Sequence, residues 1–203
     1  MAELDNDISE LLRRVKITTS SRYGASLRFK SHHRISQWTV AFISIGLLVI
    51  PMAQAWGLTI GIDNQKLNFI QSILAVLVLV YSLLLGQENF ISRSEAMHRN
   101  GVELGKFARK LKPYIRSYTE TQYSDLVEEY YSILEKYENH EIVDYYATKL
   151  EVNPKSYAEL FNYIRFSVKL RYHQIKGLML YFPPWLFVGY VLYTVFVSIS
   201  PAS

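Results

Sequence analysis

WTVAFISIGLLVIPMAQAW, Trp38 to Trp56, is followed after a few residues by FIQSILAVLVLVYSLLLG, Phe69 to Gly86, and neither stretch holds an Asp, Glu, Lys or Arg. A helix rises about 1.5 Å per residue, so about 20 apolar residues cross a hydrocarbon core of about 30 Å. Both stretches have that length. The first carries a Trp at each end, where an amphipathic ring favours the headgroup layer. The residues between them, Gly57 to Leu67, hold one acid (Asp63) and one base (Lys66), so the pair reads as a hairpin of two transmembrane helices. Pro51 cannot donate to the carbonyl of Leu47, which predicts a kink or close packing in the first helix. The second contains no proline and is expected to be straighter.

Around this hairpin the charge-free runs extend over Ile35 to Ile62 and Leu67 to Gln87, and a third runs from Gly177 to Ser203. The third, GLMLYFPPWLFVGYVLYTVFVSIS, contains Pro183 and Pro184. Its length and lack of charge predict a third crossing. The alternative is a helix that ends before Pro183 and a shorter tilted or re-entrant segment beginning at Trp185. Seven Arg and Lys precede the first span, one lies in the loop, and fourteen lie between the second and third runs. That bias places the N-terminus and the long middle segment in the cytoplasm, the short loop outside, and the C-terminus outside if the third run crosses. The first run begins at Ile35 and is too long for a signal h-region, so it is expected to persist.

A net charge of +4 accompanies bases that cluster beside the spans, with Arg28, Lys30 and Arg34 nearest the first. Attraction to anionic lipid accounts for them without sequence-specific nucleic-acid binding. There is no cysteine, so disulfides, thiol catalysis and Cys metal sites are excluded. No phosphate loop, GxGxxG, GxSxG, HExxH or calcium loop occurs, and the five histidines lack metal-ligand spacing. No enzymatic activity, cofactor or metal is expected.

Beyond Gly86, QENFISRSEAMHRNGVELGKFARKLK keeps helical periodicity up to Pro113. Phe90, Met97, Leu104 and Leu111 recur every seven residues, with Ser94, Gly101 and Ala108 between them. Such a seam predicts a stalk continuous with the second span from about Phe69 to Lys112. Projected backwards it selects Leu83, Val76 and Phe69. Its small residues admit another backbone, either this chain's own N-terminal helix or another subunit. That N-terminal helix carries Ile8, Leu11, Leu12 and Val15 on one stripe, with an interruption expected over Thr18 to Ser21.

After Pro113, Tyr123, Tyr130 and Tyr137 share a helical face with Leu126, Val127, Ile133 and Leu134. Six tyrosines within Tyr123 to Tyr146 can stack on bases or pack half-buried, and helical spacing favours packing. Asn153 and Pro154 read as the start of a further helix running towards the third run. The chain is thus read as an all-α membrane protein in three blocks: residues 1–116 with hairpin and stalk, 117–176 with cytoplasmic amphipathic helices, and 177–203 with the third run. Within the spans Gln54, Asn68, Gln71, Ser72 and Gln87 are the candidate pore-lining residues, against an ordinary interfacial placement for each.

KITTSSRYGASLRFKSHHRIS before the first span and ISRSEAMHRNGVELGKFARKLKPYI after the second resemble the SLATT domain, a bacterial two-span effector domain. The likeness covers about Asp5 to Ile115. Its most specific pieces are Arg22, Tyr23, Ala25 and Ser26, and His98, Gly101 and Leu104. The resemblance implies a homo-oligomeric, pore-forming effector of antiviral defence and abortive infection, paired with a nucleotide-signalling enzyme or a reverse transcriptase. Lacking a recognisable sensor domain, the chain is expected to take its trigger from a separately encoded protein. From another class, a membrane scaffold that tethers such a partner without forming a pore fits the same features. A small transporter subunit would need an intramembrane charge that the spans do not offer.

Overall fold

The computed structural model describes residues 4–58, 63–150, 157–179 and 181–199, which form helices and no strand. In chain order they are α1 (Leu4–Ala55), α2 (Asn64–Glu88), α3 (Phe90–Leu111), α4 (Glu120–Glu135), α5 (Ile142–Lys149), α6 (Tyr157–Met179) and α7 (Phe182–Ile199), with a 3-10 turn over Lys112–Ile115. The expected helix start at Asn153 and Pro154 lies outside the described residues.

The helix α1 is one rod of 52 residues, without the interruption expected over Thr18 to Ser21. The hydroxyls there turn back on the helix instead of breaking it: Thr18 Oγ1 donates to the Arg14 carbonyl at 3.0 Å and Thr19 Oγ1 to that of Val15 at 2.7 Å. Ile8, Val15, Arg22, Phe29, Ser36, Ile43 and Ile50, each seven residues from the last, are all buried. A seven-residue repeat is the spacing that keeps one helical stripe against its neighbours. The rod ends in a Schellman turn, with Leu58 N–H bonded to the Ala53 carbonyl at 2.9 Å and Gly57 N–H to that of Gln54 at 3.0 Å. Gly57 supplies the left-handed φ of 71° that this turn requires.

Asp63 caps α2, accepting from the amides of Gln65 and Lys66 at 3.1 and 3.3 Å. The span does not run on into the stalk. Asn89 adopts φ 46° and ψ 40°, the left-handed region, and ends α2 one residue before α3 begins. A left-handed residue resets helical phase, so the backward projection fails: Phe69, Val76 and Leu83 are exposed, whereas Leu67 and Leu74 are the buried positions of α2.

The contacts group the chain into two compact units that are not consecutive blocks of sequence: 1–30 with 91–174, and 31–90 with 175–203. Residues 1–116 are therefore shared between the units, because the two halves of α1 each have their own partners. In the first unit Ile8, Leu11, Leu12 and Val15 of α1 meet Leu104, Phe107 and Leu111 of α3 and Leu126, Tyr130 and Ile133 of α4. In the second, α7 packs on the hairpin, with Ile43, Leu74 and Val188 in one cluster and Ile50, Ala53, Leu67 and Val191 in another. The third apolar run is interrupted ahead of the prolines, as the alternative reading has it: α6 ends at Met179, and a separate helix of 18 residues starts at Phe182, just ahead of Pro183 and Pro184. Prolines are tolerated there because the first turn of a helix has no donors to lose.

Candidate functional site

In the first unit the predicted seam of α3 is filled by the chain's own N-terminal helix. Ser94 Oγ donates to the Ser26 carbonyl at 2.8 Å and sits 3.1 Å from the Ser26 hydroxyl. Gly101 lies under the ring of Tyr23, where an added Cβ would fall 2.9 Å from Cε1. Tyr23 also tilts against His98 at 5.5 Å between ring centres. Met97, Leu104 and Leu111 are fully buried, and Ala108 packs against the same core. Phe90, the first residue of α3, belongs to the other unit, where it stacks on His32 at 5.9 Å. The small seam residues therefore admit α1, the intrachain neighbour that the stripe from Ile8 to Val15 predicts.

A polar centre lies beside this seam. Arg22 takes a core position of the α1 repeat and is 0% exposed, yet among the described residues no carboxylate pairs with it directly. Its guanidinium donates to the backbone carbonyl of Glu138, to Met97 Sδ at 3.3 Å and to Asn139 Oδ1 at 3.4 Å. Burial pulls its pKa below the ordinary arginine value. Asn100, equally buried, donates to the Ile133 carbonyl at 3.0 Å. Three buried atoms here, Arg22 Nε, Asn100 Oδ1 and His140 Nδ1, have no hydrogen-bond partner among the described residues.

Six residues further along α1, Arg28 grips Asp144 through Nε and Nη2, both at 3.0 Å, and reaches Glu141 at 3.0 Å. Burial opposes the charge on Arg28, but the bonds and charges of Asp144 and Glu141 outweigh it and hold its pKa above the ordinary value. Of the three bases expected beside the membrane, Arg28 is thus engaged within the protein, while Lys30 and Arg34 remain exposed. Sequence reasoning missed this pairing and the burial of Asn100. The available signal was Arg22 standing in phase with Ile8, Val15 and Phe29.

The tyrosines divide. Tyr146 packs in the interior, whereas Tyr131 and Tyr145, with the edge of the mostly buried Tyr130, line a cleft of about 350 Å³ together with Arg13, Arg14 and Lys149. Among the described residues no His, Asp and Glu cluster could hold a metal ion.

In the second unit the candidate pore residues separate into two groups. Gln54 Nε2 donates to Asn68 Oδ1 at 3.1 Å and to Asn64 Oδ1 at 3.4 Å, tying α1 to α2 beside the loop. Gln71 and Ser72 lie within a turn of Asn68, and Ser72 Oγ donates back to the Asn68 carbonyl at 3.0 Å. Gln87 is exposed at the opposite end of α2, about 28 Å from Asn68 along the helix. At the start of α7, Tyr181 is buried with its hydroxyl 3.1 Å from Ser36 Oγ and 3.4 Å from His32 Nδ1. Trp185 Nε1 donates to Thr39 Oγ1 at 2.9 Å and its ring stacks on Phe42 at 4.7 Å. These bonds satisfy, inside the helix bundle, polar groups that hydrocarbon cannot.

Among the described residues two helices are long and apolar enough to cross a membrane, and α7 is a shorter apolar one. No curated protein and no solved structure matches the chain. A family profile does, and it reaches past the hairpin and stalk to take in α4, α5, α6 and most of α7. Matched over residues 4–195, this membrane protein belongs to the SMODS and SLOG-associating 2TM effector domain family 5.

Proposed function

We propose that the chain is an oligomeric effector of a bacterial anti-phage system, held closed until a partner engages its cytoplasmic helices and then permeabilising the inner membrane, which arrests growth. The observation that carries this reading is the bareness of α2. Almost none of its apolar length is covered by its own chain, and Phe69, Val76, Leu79 and Leu83 are all more than 60% exposed. A span that meets so little of its own protein is free to meet lipid in one state and neighbouring copies in another. Small side chains on its flanks, Ala75, Ser82 and Gly86, permit close approach. The first unit supplies the receiving surface, because its α1 continues without a break into the first span. The trigger is a separately encoded nucleotide-signalling enzyme or reverse transcriptase, and the mechanism requires no catalytic step.

The test is membrane potential recorded during phage infection, in cells expressing the chain with and without the neighbouring genes. Defence is expected to coincide with depolarisation, and purified protein in vesicles should conduct. Effective defence with an unchanged potential overturns the pore and leaves a scaffold that tethers its partner.

A further inference from the structure

We propose that α6 is an interfacial helix that lies on the anionic lipid surface along one face. Phe161, Ile164, Val168, Tyr172, Ile175 and Met179 follow one another at spacings of three and four residues, which puts them on a single stripe. Every one is more than half exposed. The opposite face is the packed one: Tyr163, Phe166, Ser167 and Leu170 are partly buried, with Phe166 stacked on Tyr146 of α5 at 5.4 Å. The stripe is therefore not a core face waiting for α5.

Charge selects the occupant. Arg165 and Lys176 border the stripe on one side and Arg171 on the other, all exposed, and Lys169 lies just behind them. Against these four bases the helix has one acid, Glu159, in its first turn. Bases flanking an apolar stripe reach anionic headgroups while the stripe enters the acyl boundary, and each basic residue near such a surface adds to the attraction. A second copy of the same basic stripe would be repelled instead. Continuity points the same way, because only a few residues separate the end of α6 from Phe182, where the apolar helix α7 begins. This placement does not depend on whether the chain conducts.

Absence of cysteine allows a direct test on the full chain. A single cysteine replaces Val168 or Tyr172 on the stripe, or Asn162 or His173 on exposed positions off it, and carries an environment-sensitive nitrobenzoxadiazole label. The protein is reconstituted into phosphatidylcholine vesicles with and without phosphatidylglycerol. Labels on the stripe are expected to shift to shorter wavelength and to be quenched by spin-labelled lipid, and labels off it are not. Phosphatidylglycerol should strengthen the quenching, and Arg165→Glu with Lys176→Glu should abolish that gain while Arg165→Lys keeps it. Stripe labels that stay in water overturn the proposal. So does a wavelength shift that lipid quenchers do not reach and that follows protein density, since that marks a face between copies; quenching indifferent to phosphatidylglycerol overturns the choice of anionic lipid.

Discussion

Arg22 and Arg28 lie six residues apart on α1, and their burial has opposite consequences. Asp144, 3% exposed, is paired with Arg28 at 3.0 Å, so Arg28→Met strands a buried carboxylate and is expected to cost about 3–5 kcal/mol. Thermal unfolding in detergent measures it. The double variant Arg28→Met with Asp144→Leu removes both charges and should recover most of that loss. Arg22→Met takes away a buried charge that makes no direct ion pair among the described residues, leaving behind only a carbonyl and an amide to be satisfied by water, so its cost should be well below that of Arg28→Met. An equal cost would show that the Glu138 carbonyl bond matters more than the desolvated charge. His140 adds a pH dependence. Burial first, and then the nearby Arg22 charge, hold its pKa below the ordinary 6.5, against an opposing pull from Asp144. The unfolded chain therefore takes up the proton first as pH falls. Stability contributed by neutral His140 is full above pH 6.5, declines as pH drops through that value, and stops declining once the folded imidazole also protonates. His140→Gln should flatten the corresponding slope of melting temperature against pH.

Among the elements, the break between α2 and α3 rests on one residue. Asparagine tolerates the left-handed region better than other side chains, and a β-branched residue there is strained. Asn89→Gly should leave stability unchanged or raise it slightly, whereas Asn89→Val should lower it by about 1–2 kcal/mol, again read from thermal unfolding. Equal melting temperatures for the two variants would mean that the chain can run helically through this point. The stalk itself makes a second test: Gly101→Val drives a branched side chain into the Tyr23 ring, and the overpacking should cost about 1–3 kcal/mol, with Tyr23→Ala relieving part of it. Why the sequence disclosed some of this and not the rest follows from what periodicity records. The seam from Met97 to Leu111 and the stripe from Ile8 to Val15 are apolar residues in polar surroundings, so their spacing was readable. Inside the membrane nearly every residue is apolar, and the choice of Leu67 and Leu74 over Phe69 and Val76 leaves no trace in composition. The Asn89 break was hidden because its flanks, QE and FISRSEA, hold neither a glycine nor a proline to signal a helix end. Arg28 with Asp144 is a pairing across 116 residues, which no local pattern encodes.

For the molecule as a whole, the number of crossings decides which surfaces a partner can reach. The helix α7 has 18 residues and so spans about 27 Å, close to the thickness of the hydrocarbon core. It is held against both spans by Ile43, Leu74 and Val188 and by Ile50, Leu67 and Val191. A helix of that length packed along a transmembrane hairpin has its backbone satisfied throughout, whereas a re-entrant turn would leave carbonyls in hydrocarbon. Three crossings would set the loop at Gln65 and the chain's end at Ser203 on the outer side and Glu128 within the cytoplasm, in keeping with the distribution of Arg and Lys. Single cysteines at these three positions in the cysteine-free chain, exposed to a membrane-impermeant maleimide on spheroplasts, measure this directly. Gln65→Cys and Ser203→Cys should label in intact cells and Glu128→Cys only after permeabilisation. Protection of Ser203→Cys together with Glu128→Cys would return the C-terminus to the cytoplasm and reduce α7 to a membrane-embedded brace. Labelling of Glu128→Cys in intact cells would invert the whole topology and place the first unit out of reach of the proposed cytoplasmic partner.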